Sequence, residues 1–371
     1  MRVEGRDGRT GVPDGFCELA AQVYADDGQW IPEDPATVTT AFSDANTWFQ
    51  SGKARAFLIP GKARAAAFIS PEMLIDGVQA AFFGYWETTE DPECDRLLMT
   101  QVEAWARDQG ASVLYGPINF TTYGTYRLRV SAEPNARTFQ AESYNPEGYP
   151  AVLEGLHFKT CQRYLVQISD TTSVTQMAEP FQAVIDGFQQ AGYRFEPLTP
   201  ELWLGRMSEL HGLVDRTFRH NFAYTPLPYA AFERACGEAF VNKACPHASL
   251  VAFGPEGDIA GFSLVYPHYG PIITQGAGEG RVSVGDLHHA SHASLLEASP
   301  PRVALAKTLA TAPGHQARGL MSAMGSLGVL ETPDRYDAWF AAMIRSDNPS
   351  RRYTKERHSA ERWYALYQKA L

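Results

Sequence analysis

Two stretches set the architecture. "AFLIPGKARAAAFI" (56–69) is a pair of short apolar runs broken by Pro-Gly-Lys, and "SLVAFGPEGDIAGFSLV" (249–265) is another pair broken by Gly-Pro-Glu-Gly-Asp. Apolar runs of this length around a Gly/Pro turn predict β-hairpins. After the first come an apolar-aromatic stretch "AAFFGYWE" (80–87), a helix and "SVLYGPI" (112–118). That helix has Asp91 as N-cap, Pro92 and Glu93 in its first turn, Leu98, Val102 and Trp105 on one face, and Gly110 as its stop. After the second come "ALAKTLAT" (304–311), a helix beginning near Gln316, and "DAWFAAMI" (337–344). Hairpin, strand, helix, strand thus occurs twice in one order, which predicts two copies of one α/β unit.

Length agrees with two copies. A single core stops growing at roughly 250–300 residues, and the chain has 371. The Ser/Thr-rich "ISDTTSVTQMAEP" (168–180), followed by the helical "FQAVIDGFQQAG" and the strand-like "YRFEPL" (193–198), marks the join. The expected division is a first domain at 1–170, a linker helix at 171–191 and a second domain at 192–371. With no run of 18 apolar residues and no basic-apolar leader, the expectation is a cytoplasmic protein with no membrane partner. Five scattered cysteines without a C-x-x-C pair point to neither a disulfide framework nor a cysteine zinc site. The formal net charge of -10 opposes nucleic-acid binding, which rests on phosphate neutralisation by Lys and Arg.

"KTLATAPGHQARGLMSAMGS" (307–326) joins a strand to a helix with Gln316, Arg318 and Gly319 at the junction. A helix start leaves N–H groups without internal partners, and a glycine there admits a ligand close to the backbone. Such a place suits a phosphate, with Arg318 adding charge and Gln316 a donor.

"TAPGHQARGLMSAM" resembles the acyl-CoA loop of the GCN5-related N-acetyltransferases, a Gln/Arg-x-x-Gly-x-Gly/Ala pattern after a central strand. "SDNPSRRYTKERHSAERWYALYQKAL" is similar to that family's closing region, and "LYGPINFTTYG", "YNPEGYPAVLEGLHF" and "RYLVQI" resemble the N-terminal halves of its tandem members. The resemblance implies two tandem acetyltransferase-like domains, each a mixed, mostly antiparallel twisted sheet flanked by helices. It implies direct acyl transfer from acetyl-CoA or another acyl-CoA to a small-molecule amine or amino-acid-like acceptor. Leu309 or Ala310 would offer the oxyanion N–H, Thr311 would pair with the pantetheine arm, and Gln316, Ala317, Arg318, Gly319 and Leu320 would hold the pyrophosphate. Asn348 and Ser350 would hydrogen-bond the cofactor, and Tyr353 or Tyr364 would protonate the leaving thiolate. The pattern's last small position holds Met321. The first copy has Glu87, Glu90, Asp91 and Glu93 where a phosphate cradle would be, so it is not expected to bind CoA in this way.

For a general base, "LVDRTFRHNFAYTPLP" (213–228) offers Asp215 and His220, although Asp215 and Arg219 have the spacing of a surface ion pair and His220 that of a cap. His288, His289 and His292, with Asp286, lie in a Gly-, His- and Ser-rich stretch (269–301) expected to be a long loop; no metal is expected there. "NFTTYGTYRLRV" (119–130) sets Asn119, Tyr123, Tyr126, Arg127 and Arg129 in a loop and strand, where the arginines either hold an acceptor carboxylate or form a solvent face. Two other functions fit the same residues: an aminoacyl-tRNA-dependent transferase, or a non-catalytic ligand-binding protein with decayed sites. A homodimer is compatible with the sequence, which fixes no oligomeric state.

Overall fold

The structure, a computed structural model, describes residues 2–131, 138–274, 282–316, 318–348, 350–351, 358 and 360–371. The chain divides into two compact units: residues 1–163, 222–225 and 363–371 form the first, and 164–221 with 226–362 the second.

In the first unit the strands are β1 (Glu4–Asp7), β2 (Lys53–Ile59), β3 (Ala63–Ile69), β4 (Leu74–Ile75), β5 (Val78–Thr88), β6 (Val113–Gly116) and β7 (Leu128–Arg129). β8 (Lys159–Asp170) begins in this unit and continues into the second, which contains β9 (Arg194–Pro197), β10 (Leu250–Phe253), β11 (Ile259–Pro267), β12 (Val303–Thr311) and β13 (Ala338–Arg345). β14 (Ala360–Ala370) returns, from Trp363 on, to the first unit. Strand order is β1-β2-β3-β5-β6-β14 in the first unit and β8-β13-β12-β11-β10-β9 in the second. Both hairpins form as expected, β2 with β3 and β10 with β11.

Each unit contains one parallel pair joined through a helix. β5 and β6 pair from Ala80–Phe82 to Val113–Tyr115, and β12 and β13 from Val303–Ala306 to Ala338–Ala341. Neighbouring pairs in the two series are otherwise antiparallel. The crossover helix of the first unit, Pro92–Asp108, starts at Asp91, whose carboxylate accepts from the N–H groups of Glu93 and Cys94. Its buried Cys94, Leu98, Val102 and Ala106 recur at helical spacing and pack in one core with Ala63, Ala65, Ala67 and Phe83. In the second unit the Leu320–Leu330 helix buries Leu320, Ala323 and Met324 against Ile185, Phe188, Tyr193, Ala252 and Ala260. Among the described residues no helix is long and apolar enough to cross a membrane, and the five thiols form no disulfide.

Two expectations about local structure need correction. The second crossover helix starts at Leu320, not near Gln316: Pro313–His315 is a separate 3-10 turn, and Gly319, at φ 86°, is left-handed and cannot continue a right-handed helix. The stretch 269–301 is not one long loop. It contains helices Gly270–Thr274 and His289–Glu297 and a 3-10 turn at Val284–Asp286. His289–Glu297 buries none of its residues, so it carries no apolar periodicity for a sequence pattern to reveal.

Candidate functional site

In the second unit the registered parallel pairing ends before either of its strands does. Registered pairing of β12 with β13 stops at Ala306 and Ala341. On its other edge β12 stays bonded to β11: Gly261 to Leu264 face Thr311 to Thr308, and Ala312 N–H donates to Ala260 C=O at 2.8 Å. In an antiparallel ladder, bonded pairs alternate. The polar groups of Thr308 and Ala310 therefore turn to β11, while those of Leu309 and Thr311 turn toward the side that β13 has left. Of the two expected oxyanion donors, only Leu309 has its N–H directed there.

The helix starts nine residues beyond Thr311, at Leu320. Gly319, exposed and left-handed, is the N-cap and supplies no side-chain acceptor, and the first helical bond is Ala323 N–H to Gly319 C=O at 2.9 Å. The helix therefore leaves the N–H groups of Leu320, Met321 and Ser322 outside its own ladder. Gly319 accommodates φ 86° because it has no Cβ, and a Cβ there would meet Val184 Cγ1 at 3.6 Å. Arg318 is exposed beside it. Gln316 reaches back, donating from Nε2 to Thr311 C=O at 3.1 Å, and Thr217 Oγ1 donates to the same carbonyl at 3.5 Å. Leu309, Thr311, Gln316, Arg318, Gly319 and Leu320 thus line one strand-to-helix passage; Ala317 lies outside the described residues.

The remaining candidates are dispersed. Asn348 is exposed after β13 and uses Oδ1 to accept from Ser350 N–H at 2.9 Å. Asp215 lies in the last turn of the Met207–Phe218 helix in an ion pair with Arg219, and His220 is exposed in the turn that follows. Tyr353 lies outside the described residues. Tyr364 is fully buried in the first unit on β14, opposite Arg129, and donates its hydroxyl to Glu142. His288 caps the His289–Glu297 helix by accepting from Ser291 N–H, and His292 Nδ1 lies 2.9 Å from His288 C=O. Burial and the neighbouring Arg335 push His289 down to about 4. Among the described residues no group of three His, Cys, Asp or Glu side chains is placed to hold a metal ion. Arg127 is buried and stacks on Tyr126, its guanidinium 3.6 Å from the ring centroid, and Arg129 lies over Tyr144 at 5.2 Å. Neither arginine forms a plain solvent face.

The first unit closes the corresponding positions with its own groups. Beyond Phe82, Phe83 C=O accepts from Ile118 N–H at 2.7 Å, and Tyr85 N–H donates to Asn119 Oδ1 at 2.7 Å. Thr88 N–H donates to the Tyr149 hydroxyl at 2.8 Å. That hydroxyl in turn donates to Glu87 at 2.8 Å, and Tyr24 donates to the same carboxylate at 2.9 Å. Phe120 packs at 4.3 Å from Phe68 and 5.1 Å from Phe42, centroid to centroid. Burial pushes Glu87 up to about 7 against the opposing pull of Arg64. At the crossover helix, the Asp91 carboxylate already takes two of the N–H groups an anion would need. Its local cap was legible in the sequence; the Asn119 and Tyr149 contacts were not, because they join segments 34 and 61 residues apart.

No family model matches the chain, and no curated protein matches it in sequence. Solved structures do match. One is described as a GCN5-related glucosamine N-acetyltransferase region in a fungal multi-domain GH3 β-N-acetylglucosaminidase, with TM-score 0.54 and 12% identity. The match covers 99% of this chain and 38% of that one, so this chain spans about two fifths of that protein's length. Another is a conserved protein of unknown function from Enterococcus faecalis V583, described as a probable N-acyltransferase: TM-score 0.51, 10% identity, 100% of this chain and 73% of the other. Identity this low speaks to architecture alone. Together with the splayed parallel pair and its crossover helix, these matches establish that the chain has the fold of the GCN5-related N-acetyltransferases.

Proposed function

We propose that the protein is an acyl-CoA-dependent N-acyltransferase, with acetyl as the donor group, that acts by direct transfer on a small amine or amino-acid-like acceptor. It is built as two tandem acetyltransferase-like units with one donor site, in the second. The observation that carries this reading is the passage from β12 to the Leu320–Leu330 helix: a helix start without a side-chain cap behind a left-handed glycine, reached from a strand that continues past the end of its registered pairing with β13.

The residues present fit a pyrophosphate. The N–H groups of Leu320, Met321 and Ser322 lie at the positive end of the helix, and Arg318 adds a full charge beside them. Met321 occupies the family pattern's small position, but its N–H remains outside the helical ladder like those of its neighbours. Bound there, an acyl-CoA supplies an activated acyl group. Leu309 N–H would donate to the acyl carbonyl oxygen as negative charge develops on it. Thr311 would present its N–H to the pantetheine arm, its C=O being held by Gln316, and Asn348 and Ser350 would add hydrogen bonds. Because Asp215 is engaged by Arg219 and His220 is exposed, the acceptor amine would lose its proton to solvent as its nitrogen bonds the acyl carbon; the C–S bond would then break, and CoA would leave as a thiolate that takes a proton from solvent. The charge of -10 favours a cationic amine over a polyanion.

The test is a thermal shift with acetyl-CoA and longer acyl-CoAs on the native chain and on Gly319→Glu. The glutamate puts a side chain and a negative charge into the cradle. Stabilisation of the native chain that is lost in a folded variant is the expected result. No stabilisation of the native chain by any acyl-CoA would overturn the reading.

A further inference from the structure

The turn before the helix start is held from two sides by side chains distant in sequence. His315 closes the Pro313–His315 turn, its N–H donating to Ala312 C=O at 2.9 Å. Its ring lies between Tyr193, 122 residues away, and Asp258, 57 residues away: Nδ1 is 2.7 Å from the Tyr193 hydroxyl and Nε2 is 3.2 Å from Asp258 Oδ2. An ionised carboxylate only accepts, so Nε2–H donates to Asp258, while Nδ1 shares a hydrogen bond with the Tyr193 hydroxyl. The rings of Tyr193 and His315 meet edge to face at 5.6 Å.

Each partner is itself anchored. Tyr193 is buried in the core that contains Leu320, Ala323 and Met324, the first turns of the helix whose start is in question. Asp258 ends the β10–β11 turn, its C=O accepting from Gly254 N–H at 2.9 Å. Residue 254 is glycine at a close approach: a Cβ there would stand 2.5 Å from Asp258 Oδ1 and 3.1 Å from His315 Cε1. On the other side of the turn Gln316 is tied to Thr311 C=O. The chain from Ala312 to Gln316 is therefore fixed to the hairpin, to the core under the helix and to the end of β12.

We propose that Tyr193, His315 and Asp258 form a clamp that presets the path from β12 to Gly319, making His315 a positioning residue for a pyrophosphate-bearing ligand; the ligand part of this proposal rests on the donor site proposed above. A loop held in its binding conformation before the ligand arrives loses less freedom on binding, so the clamp acts on affinity and not on the transfer step.

Two readouts on the full chain test it. Hydrogen exchange of the ligand-free protein follows the amides of 312–321, with the Pro92–Asp108 helix as an internal control. Calorimetry with CoA and steady-state kinetics give affinity and the division between KM and kcat. His315→Ala is expected to speed exchange in 312–321 alone. It is also expected to weaken CoA binding about tenfold, as loss of a net hydrogen bond of ordinary strength would, raising KM for the acyl-CoA at unchanged kcat. His315→Gln, which has both an acceptor and a donor, should recover most of the affinity; Tyr193→Phe should lose part of it with the ring packing kept. Unchanged exchange and affinity in His315→Ala, or an equal loss in His315→Gln, overturns the clamp. If the native chain binds no CoA, the donor-site reading fails, while exchange in the free chain still decides whether the clamp holds the turn. Gly254→Ala, whose Cβ would push Asp258 and His315 apart with both residues retained, is the second variant should His315→Ala fail to fold.

Discussion

Glu87 is a largely buried carboxylate surrounded by the Tyr24 and Tyr149 hydroxyls and the Arg64 guanidinium, and its removal from water raises its pKa to about 7 from an ordinary 4.5. A carboxyl whose folded pKa is raised binds more protons folded than unfolded between those two values. Its contribution to stability therefore falls as pH rises from about 4.5 to about 7. Replacing it by glutamine removes that dependence and keeps an acceptor for the hydroxyls. The melting temperature of Glu87→Gln minus that of the native chain is expected to increase with pH across this window, measured by scanning calorimetry at several pH values; a constant difference would refute it. Sequence placed Glu87 among four acidic residues and read them together as repelling a phosphate. The structure separates them: Glu87 is an interior group held by residues 62 and 63 positions away, and Asp91 is a helix cap. Side-chain chemistry was legible; which carboxylate faces inward was not, because long-range packing decides it.

The two crossover helices show how the start of an element decides what it can hold. Asp91 satisfies two N–H groups of its helix with its own carboxylate, and Gly319 satisfies none with a side chain. Asp91→Ala should cost about 1 kcal/mol of first-unit stability, the ordinary worth of an N-cap, with acyl-CoA affinity unchanged; chemical denaturation followed by calorimetry with CoA measures both. A clear loss of affinity would mean that the first helix takes part in donor binding. Elements were most legible where the signal is local. The hairpins, the Asp91 cap and Pro92, and the strand at 304–311 all rest on residues within a few positions of one another. The 3-10 turn at Pro313–His315 and the helix at His289–Glu297 were missed, the first because Gly319 resets the backbone, the second because it has no buried face. The clamp on His315 has no local signature: its partners come from a strand entry and a hairpin turn.

At the scale of the whole molecule, the two units share a strand order and differ in what fills the splay. Ile118, Asn119 and Tyr149 close it in the first, and the second leaves Leu309 N–H turned toward it. Titration with acyl-CoA should therefore saturate at one equivalent per chain, and Gly319→Glu should remove that equivalent entirely; a second equivalent, or a residual one in the variant, would place a donor site in the first unit as well. The order hairpin, strand, helix, strand was readable in both halves of the sequence. The return of the last strand was not. β14 pairs with β6 and β7, and its Tyr364, Leu366 and Tyr367 are buried in the first unit. During synthesis this gives the molecule an order of completion that reverses its order of translation: the half made first waits, with one side of β6 bare, until Trp363–Leu371 clears the ribosome, so a stalled nascent chain exposes an open strand edge in its N-terminal half.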